Sequence, residues 1–242
     1  MTQNIYDSPA FFAAYSQLPR SRHGLAAAPE WPSLQALLPA INGKRILDLG
    51  CGYGWFSRWA AAHGAARVLA LDVSERMLER ARSMPTPSTI SYRQADLHHL
   101  ALPESSFDLA FSSLTFHYIE NLPRLFAAIH ASLAKAGQLV FSIEHPIYMA
   151  PRNPGWQTSE DGRKTWPLDS YQDEGRRVTD WLAKGVVKYH RTLGTLLNTL
   201  IRAGFTIRHV EEWGPSEAQV ASSPELADER ERPMLLLVSV MC

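Results

Sequence analysis

The sequence has few cysteines, no net charge and no long apolar run. Cys51 and Cys242 are its two cysteines, and their placement gives no sign of a disulfide scaffold or a zinc site. Lysine plus arginine and aspartate plus glutamate number 24 each, so no net positive field exists to hold DNA or tRNA. No apolar stretch approaches the length needed to cross a bilayer. These absences favour a small-molecule partner over a nucleic acid or a membrane.

The first twenty residues also lack the pattern of a secretory signal. Asp7 comes early, and no basic start precedes an apolar core. We therefore expect a cytoplasmic protein with reduced cysteines. Because 45% of the 242 residues are hydrophobic, the chain can bury a sizeable core, and we expect residues 1–242 to form a single domain.

Short apolar runs alternate with helical patterns through the first 143 residues. The pattern predicts helices over residues 55–63, 74–83 and 122–133, with Ser74 as an N-cap and Gly137 just beyond a helix end. Such alternation is typical of right-handed βαβ units, and it predicts a parallel sheet with helices on both faces. The predicted strands span residues 45–49, 67–71, 89–93, 107–112 and 138–142.

The segments on either side of this region have a different character. Residues 1–42 are expected to form a helical segment that docks on the core. Residues 144–191 are rich in proline, glycine, tryptophan and charge, and we interpret them as an insertion that folds over the sheet edge as a substrate lid. A helix over residues 192–203, closed by Gly204, precedes β-rich runs at 205–213 and 234–241, which predict a closing antiparallel pair.

Three glycines concentrate in one turn, within the stretch ILDLGCGYGWF that contains the first predicted strand. Gly50, Gly52 and Gly54 leave backbone N–H groups and the positive end of a helix dipole open to a ligand. Their G-x-G-x-G spacing differs from the G-x-G-x-x-G of dinucleotide sites. Cys51 needs only to be small here, and Trp55 is expected to pack in the core rather than to contact a ligand.

Three acidic residues lie near this turn in the predicted fold. Asp72 ends the second strand, where a carboxylate can accept both hydroxyls of a ribose. Asp96 follows the third strand, near where an adenine on that ribose would extend. Asp48 can orient the glycine loop and meet an amino group across a water. Together they outline a ligand with an adenosine at one end and a zwitterionic tail at the other.

Four motifs occur in order, DLGCGYG, LALDVSERMLERAR, QADLHHL and FDLAFSSLTFHYI, and they resemble those of class I S-adenosylmethionine-dependent methyltransferases, in particular the type 11 small-molecule group. The resemblance covers residues 43–143, and FSIEHPIYMA, WPLDSYQDEGRR, VVKYHRT and EEWGPS extend it to a bacterial subgroup. It implies an α/β fold, a Rossmann-like doubly wound sheet of seven strands in the order 3-2-1-4-5-7-6, with strand 7 antiparallel. It also implies S-adenosyl-L-methionine as the cofactor.

The resemblance further implies which residues contact the cofactor. The glycine loop would hold its amino-acid part, Asp72 its ribose, and residues after the second and third strands its adenine. In this family an N-terminal segment often covers the cofactor, so Tyr6 or Tyr15 is expected to line the site. The implied cofactor-binding residues are Asp48, Gly50, Cys51, Gly52, Gly54, Asp72, Val73, Met77, Asp96, Leu97, Ser112 and Ser113.

Methyl transfer from a sulfonium is an in-line displacement, for which the enzyme mainly aligns the nucleophile, the carbon and the sulfur. A base is needed only where the acceptor is protonated. Ligands bind beyond the carboxyl ends of the strands, so acceptor-site candidates follow the fourth and fifth strands or lie in the insertion. The candidate catalytic residues are Glu144, His145 and His117, and the candidate substrate-binding residues are His117, Tyr118, Lys188, His190 and Arg191.

Purely structural roles remain open for these candidates. Glu144 or His145 could only pin the insertion, and His190 and Arg191 could pair with insertion acids such as Glu174. The expected function is methyl transfer to an oxygen, nitrogen or carbon atom of a small molecule. The alternatives are an S-adenosylmethionine sensor without transfer, a nicotinamide-dependent oxidoreductase, which the glycine spacing disfavours, and an RNA methyltransferase, which would need a basic face. No tight ligand spacing indicates a metal site.

Overall fold

The computed structural model describes residues 3–242. Its strands are β1 (Arg45–Leu49), β2 (Arg67–Asp72), β3 (Ile90–Gln94), β4 (Phe107–Ser113), β5 (Leu133–Glu144), β6 (Gln157–Thr158), β7 (Lys164–Thr165), β8 (Gly175–Trp181), β9 (Ala183–His190), β10 (Thr206–Trp213) and β11 (Leu235–Met241). Seven of them form one sheet in the order β10-β11-β5-β4-β1-β2-β3. Strand β11 is antiparallel to both neighbours, whereas β1 to β5 pair in parallel. The predicted sheet order and the closing antiparallel pair are confirmed.

The α-helices surround this sheet. They are α1 (Pro9–Tyr15), α2 (Pro19–His23), α3 (Trp31–Ala36), α4 (Trp55–Ala62), α5 (Glu75–Arg82), α6 (Leu122–Ser132), α7 (Pro146–Met149), α8 (Leu193–Arg202) and α9 (Glu217–Ser222). Buried side chains of α6 and α8 pack on one face of the sheet, and those of α3 and α4 pack on the other. Strand residues are buried on both faces, which explains their nearly continuous apolar sequence.

The local predictions are confirmed except at one turn. The Ser74 hydroxyl accepts the Met77 N–H and caps α5, as its position predicted. Gly137, in contrast, does not follow a helix end. Helix α6 ends at Ser132, and Gly137 lies within β5, which begins at Leu133 rather than at residue 138. An irregularity in the β4–β5 pairing lengthens the strand there, because Leu133 and Gln138 both find partners on β4.

Residues 144–191 form short helix α7 and two antiparallel hairpins, β6–β7 and β8–β9. The N-terminal segment joins the second hairpin, since the Gln3 amide donates to Gly185 O and accepts from Val187 N at 2.9 and 2.8 Å. The same segment reaches the end of β2 through Asn4, whose amide donates to Val73 O. Across residues 3–242, no helix combines the length and apolar character that crossing a membrane requires.

Candidate functional site

A cavity of about 340 Å³ lies at the carboxyl ends of the parallel strands. The turn after β1, the ends of β2 and β5, the turns after β3 and β4, the N-terminal segment and the insertion all contribute to its wall. A smaller cavity of about 100 Å³ lies on the other side of the glycine loop. The two cavities are neighbours, because five residues line both of them: Tyr15, Arg20, Gly50, Gly52 and Ser113.

Asp72 holds the glycine loop in place. Its two carboxylate oxygens accept the Gly52 N–H at 2.8 Å and the Ser74 N–H at 2.9 Å. The prediction that Asp48 orients the loop is therefore wrong, because its Oδ2 instead accepts the Ser57 hydroxyl at 2.6 Å. Asp48 still lines the smaller cavity.

The glycines serve two different needs. All three have positive φ, which disfavours any side chain. A Cβ on Gly52 would meet only the tip of Met77, so this glycine leaves space for a ligand. A Cβ on Gly54 would collide with the Tyr92 hydroxyl, and Gly54 lines neither cavity. The third glycine is thus required by packing, and its contact with the cofactor remains a prediction.

Burial changes the titration of both aspartates. It raises the pKa of Asp48 from 3.8 to about 7, although the Ser57 hydroxyl opposes the shift. It raises the pKa of Asp72 to about 6, partly offset by the N–H groups of Ser74 and Gly52. A cationic group of a ligand beside either carboxylate would favour its charged form.

All five predicted adenosine contacts line the main cavity. Val73, Met77, Asp96 and Leu97 do so, together with Asp72. The Asp96 carboxylate accepts the His98 N–H at 2.9 Å and so caps the 3-10 turn at Leu97–His99. Apolar and acidic groups therefore lie side by side where an adenosine was expected.

Ser112 and Ser113 lie on opposite sides of β4. Ser113 lines both cavities. Ser112 is fully buried and donates its hydroxyl to Leu49 O at 2.8 Å, so it cannot reach a ligand. Ser113 alone fits the predicted floor of the site.

The other end of the main cavity contains Glu144, the last residue of β5. Its Oε1 pairs with the Lys188 ammonium group of β9, which lies 5.3 Å from the Trp181 ring centroid. Its Oε2 is buried and has no hydrogen-bond partner among residues 3–242. His117, Tyr118, Tyr148 and Trp181 line the cavity around this carboxylate.

The histidine and the two tyrosines that line the cavity around Glu144 are neutral near pH 7. Burial lowers the pKa of His117 to about 4, although the negative charge of Glu144 raises it. Glu144 Oε1 lies 4.0 Å from His117 Nε2. Burial also raises the pKa of Tyr148 to about 12 and holds that of Tyr118 far above its usual range. His117 Nδ1 faces the Glu144 N–H at 3.5 Å, so its basic nitrogen is turned to the backbone.

The structure removes His145 from the candidate catalytic residues. His145 is 1% exposed and lines neither cavity. Its Nδ1 accepts the Ile147 N–H at 3.1 Å and caps α7, so Nε2 carries the proton and donates to Glu212 at 2.9 Å. Both ring nitrogens hold the start of the insertion, which is the purely structural role that the sequence analysis left open for His145.

Three predicted substrate contacts also point elsewhere. Lys188 is buried behind Glu144 and does not line the cavity. His190 contacts Tyr171 O at 2.8 Å through Nε2, and Arg191 donates to the carbonyls of Ile119 and Glu120. Within residues 3–242, no group of three or more His, Cys, Asp or Glu side chains could hold a metal ion.

Several lining residues were not predicted from the sequence. Tyr6 and Tyr15 line the main cavity as expected, but Arg20, Tyr148 and Trp181 line it as well. Arg20 and the exposed Arg22 lie on the same short helix, α2. Only the orientation of that helix determines which of the two side chains faces the cavity. No sequence pattern marked Arg20 as the one that faces the site.

The fold and the two cavities define an α/β protein with a ligand site beyond the carboxyl ends of its strands. Residues 47–141 match the type 11 family described as "Methyltransferase domain". The crystal structure of an S-adenosylmethionine dependent methyltransferase from Mesorhizobium loti is 59% identical, with a TM-score of 0.88, over 90% of this chain and 100% of that chain. An uncharacterized protein of Haemophilus influenzae is 36% identical over 97% of this chain and 95% of its own length.

The chain belongs to the S-adenosylmethionine-dependent methyltransferase family, and its cofactor is S-adenosyl-L-methionine. The family and cofactor predicted from the motifs are confirmed. A malonyl-[acyl-carrier protein] O-methyltransferase of Pectobacterium atrosepticum is 31% identical, but over only 54% of this chain and 51% of its own length.

Proposed function

We propose that the protein methylates a protonated oxygen or nitrogen atom of a small molecule that binds beside Glu144, under the rest of the insertion. The observation that carries the proposal is the buried Oε2 of Glu144, which lines the cavity end away from the glycine loop and has no partner within the described chain. A buried acceptor without a donor is costly, so a donor on the substrate fits it.

The residues at the glycine-loop end fit the cofactor. Asp72 would bind the ribose hydroxyls, and Val73, Met77 and Leu97 would lie against the adenine. Gly52 leaves space beside its Cα for the cofactor, because a Cβ there would meet only the tip of Met77. When bound, the cofactor supplies a methyl group on a sulfonium, which a nucleophile displaces in line.

Glu144 is the group best placed to take a proton from the acceptor. The tyrosines beside it stay protonated, since burial raises the pKa of Tyr118 and Tyr148. The basic nitrogen of His117 faces the backbone. Lys188 fixes one oxygen of the Glu144 carboxylate and leaves the other for an O–H or N–H donor.

A carboxylate acceptor fits this site less well. A malonyl group, which the Pectobacterium relative methylates by its name, offers an anionic oxygen. Within residues 3–242, Arg20 is the only lysine or arginine that lines the main cavity, and it lies on the glycine-loop side. An anionic acceptor would therefore bring a second negative charge beside the Glu144 carboxylate, which already occupies the nearby Lys188 ammonium group.

The N-terminal segment and residues 144–191 would act together as the lid. Gln3 joins the segment to β9, and the Tyr6 hydroxyl lies 3.2 Å from that of Tyr118. Phe11 and Tyr15 extend this contact to Trp181. Closing the cavity in this way would exclude water from the reacting groups.

Methyl-labelled S-adenosylmethionine tests the proposal. The protein is incubated with a cell extract divided into a small-molecule fraction and a macromolecular fraction. We expect label in the small-molecule fraction with the wild type, and loss of that label with Glu144→Gln. Glu212→Gln is the matched control, because Glu212 contacts His145 outside both cavities. Label confined to the macromolecular fraction would contradict the proposal.

A further inference from the structure

The wall of the main cavity around Glu144 is mostly aromatic. Tyr6, Tyr118, Tyr148 and Trp181 line it there. The hydroxyls of Tyr6 and Tyr118 lie 3.2 Å apart and can bond to each other, so they offer little to a hydrophilic ligand. A molecule with many polar groups would leave most of them unpaired against these rings, whereas an aromatic molecule would bury its own ring on them.

Packing holds these rings in fixed positions. The rings of Tyr6 and Tyr118 meet edge to face, with centroids 6.0 Å apart. Tyr148 stacks on Trp166 at a centroid distance of 5.7 Å, and the Arg232 guanidinium lies 4.7 Å from the Tyr148 centroid. A wall that is already ordered pays little entropy on binding, and it suits a ligand that is itself rigid and flat.

The charges at this end of the cavity are already balanced. The Lys188 ammonium group pairs with Glu144 Oε1, and the two side chains are only 3% and 14% exposed. Lys188 also lies 5.3 Å from the Trp181 ring centroid and 6.0 Å from that of Tyr118. An ammonium group on the ligand would add a second cation beside Lys188, and a carboxylate would add a second anion beside Glu144. Burial makes either excess costly, so a neutral acceptor fits best.

The second oxygen of Glu144 distinguishes between neutral acceptors. Oε2 is buried and has no hydrogen-bond partner within residues 3–242, so a hydroxyl on the ligand can donate to it. A carboxylate is a weak base, and it accepts a proton during methyl transfer only from a hydroxyl that is itself acidic. An aromatic hydroxyl meets this condition, since the pKa of the tyrosine side chain is about 10. An aliphatic hydroxyl is far less acidic.

We propose that the acceptor is a neutral phenol, whose hydroxyl donates to Glu144 Oε2 and whose ring packs against Tyr118, Tyr148 and Trp181. This inference rests on the proposed function and narrows its acceptor to one chemical class. The phenol oxygen bonds to the methyl carbon of the cofactor as the carbon–sulfur bond breaks, and the electron pair of that bond stays on sulfur. The phenol proton passes to Glu144 and leaves to solvent when the methyl ether is released. Lys188 then determines specificity, because it makes the site neutral.

Four one-ring probes of similar size differ in the group that would meet Glu144. 4-Methylphenol carries an acidic hydroxyl, benzyl alcohol an aliphatic hydroxyl, benzylamine a cation and benzoate an anion. Calorimetry measures their binding to the protein saturated with S-adenosylhomocysteine, and methyl-labelled S-adenosylmethionine measures transfer to each. The wild type is compared with Lys188→Met. Lys184→Met is the control, because Lys184 is exposed on the same strand.

We expect the wild type to bind 4-methylphenol about tenfold or more tightly than benzylamine or benzoate, and to methylate 4-methylphenol but not benzyl alcohol. Lys188→Met leaves the charge of Glu144 unbalanced, so benzylamine should gain about tenfold or more relative to 4-methylphenol. Lys184→Met should leave that ratio unchanged.

Three results with the wild type would overturn the inference: no binding of 4-methylphenol, equal or tighter binding of benzylamine or benzoate, and equal methylation of benzyl alcohol. These comparisons need no variant, so they remain decisive if Lys188→Met does not fold. Methylation of benzylamine would overturn the inference and leave the proposed function standing. Label confined to the macromolecular fraction of the extract would contradict both.

Discussion

The two ends of the main cavity are built in different ways. At the glycine-loop end, Asp72 is held by backbone N–H groups of Gly52 and Ser74, all within one βαβ unit. At the acceptor end, Glu144 is held by the side chain of Lys188, 44 residues later on the β8–β9 hairpin. One end depends on local backbone geometry, and the other depends on a long-range side-chain pair.

This difference separates the functions of the two ends. Backbone donors are the same for any sequence that can form the turn, so they suit a cofactor shared by a whole family. Side-chain pairs change with single substitutions in the insertion, so they suit an acceptor that differs between family members. The following predictions test whether substitutions at the glycine-loop end change cofactor binding, and whether substitutions at the acceptor end change turnover.

Glu144→Gln should have the largest effect. Removing the proton acceptor should lower kcat by about 100-fold or more, while the Kd for S-adenosylmethionine stays within about threefold. Glutamine keeps an oxygen for the Lys188 ammonium group, so the protein should still fold. Steady-state kinetics on an identified acceptor and calorimetry measure the two quantities. Weaker binding of S-adenosylmethionine with an unchanged kcat would reverse the assignment of the two ends.

Asp72→Asn should have the opposite signature. Its amide would face either the Gly52 or the Ser74 N–H, so one charged hydrogen bond is lost and the ribose loses an acceptor. We expect S-adenosylmethionine to bind about 100-fold more weakly. Asp108→Asn is the control, because Asp108 pairs with Arg45 at the amino ends of the strands. If both variants bind the cofactor as the wild type does, Asp72 has only a structural role.

Asp48→Asn should change how stability depends on pH. The native pKa of about 7 lies above the usual 3.8, so between pH 4 and 7 the unfolded chain ionises while the native carboxyl keeps its proton. The free energy of unfolding of the wild type should therefore fall as pH rises through this window and level off above it. Relative to the variant, the loss from pH 5 to 8 should be about 2 kcal/mol.

Denaturant unfolding of the wild type and Asp48→Asn at pH 5 and pH 8 measures this difference. Asp72 titrates in both proteins, so its contribution largely cancels. A pH dependence that is the same with and without Asp48 would show that its carboxyl is already ionised at pH 5 in the native protein.

His145→Ala should have the smallest effect on function. The change removes the α7 cap and the contact to Glu212, which should cost about 1 kcal/mol of stability. Turnover should stay within about threefold of the wild type, because His145 does not reach the cavity. A loss of kcat as large as that of Glu144→Gln, without loss of fold, would restore His145 as a catalytic residue.

The sequence predicted the sheet well, for a physical reason. Alternating periodicities define βαβ units, and the handedness of their connections brings the turn after β1 next to the end of β2. Asp72 and the glycine loop therefore meet wherever this topology forms. The role of Asp48 was mistaken because the direction of a buried carboxylate depends on its local partner, Ser57.

Two of the errors concern neighbouring residues. Ser112 and Ser113, like Glu144 and His145, are adjacent in sequence, and only one of each pair faces the cavity. Which one does so depends on strand direction and on the start of α7. Lys188 reaches Glu144 only through the fold of the β8–β9 hairpin, and no local pattern in the sequence fixes that hairpin's position over the sheet.

A crystal structure with S-adenosylhomocysteine bound tests the central claim most directly, namely that one cavity holds the cofactor at the glycine loop and the acceptor at Glu144. We predict the ribose hydroxyls at the Asp72 carboxylate, the amino-acid end at the glycine loop, and the sulfur facing the space in front of Glu144. An amino-acid end bound against Glu144, away from the glycine loop, would contradict the claim.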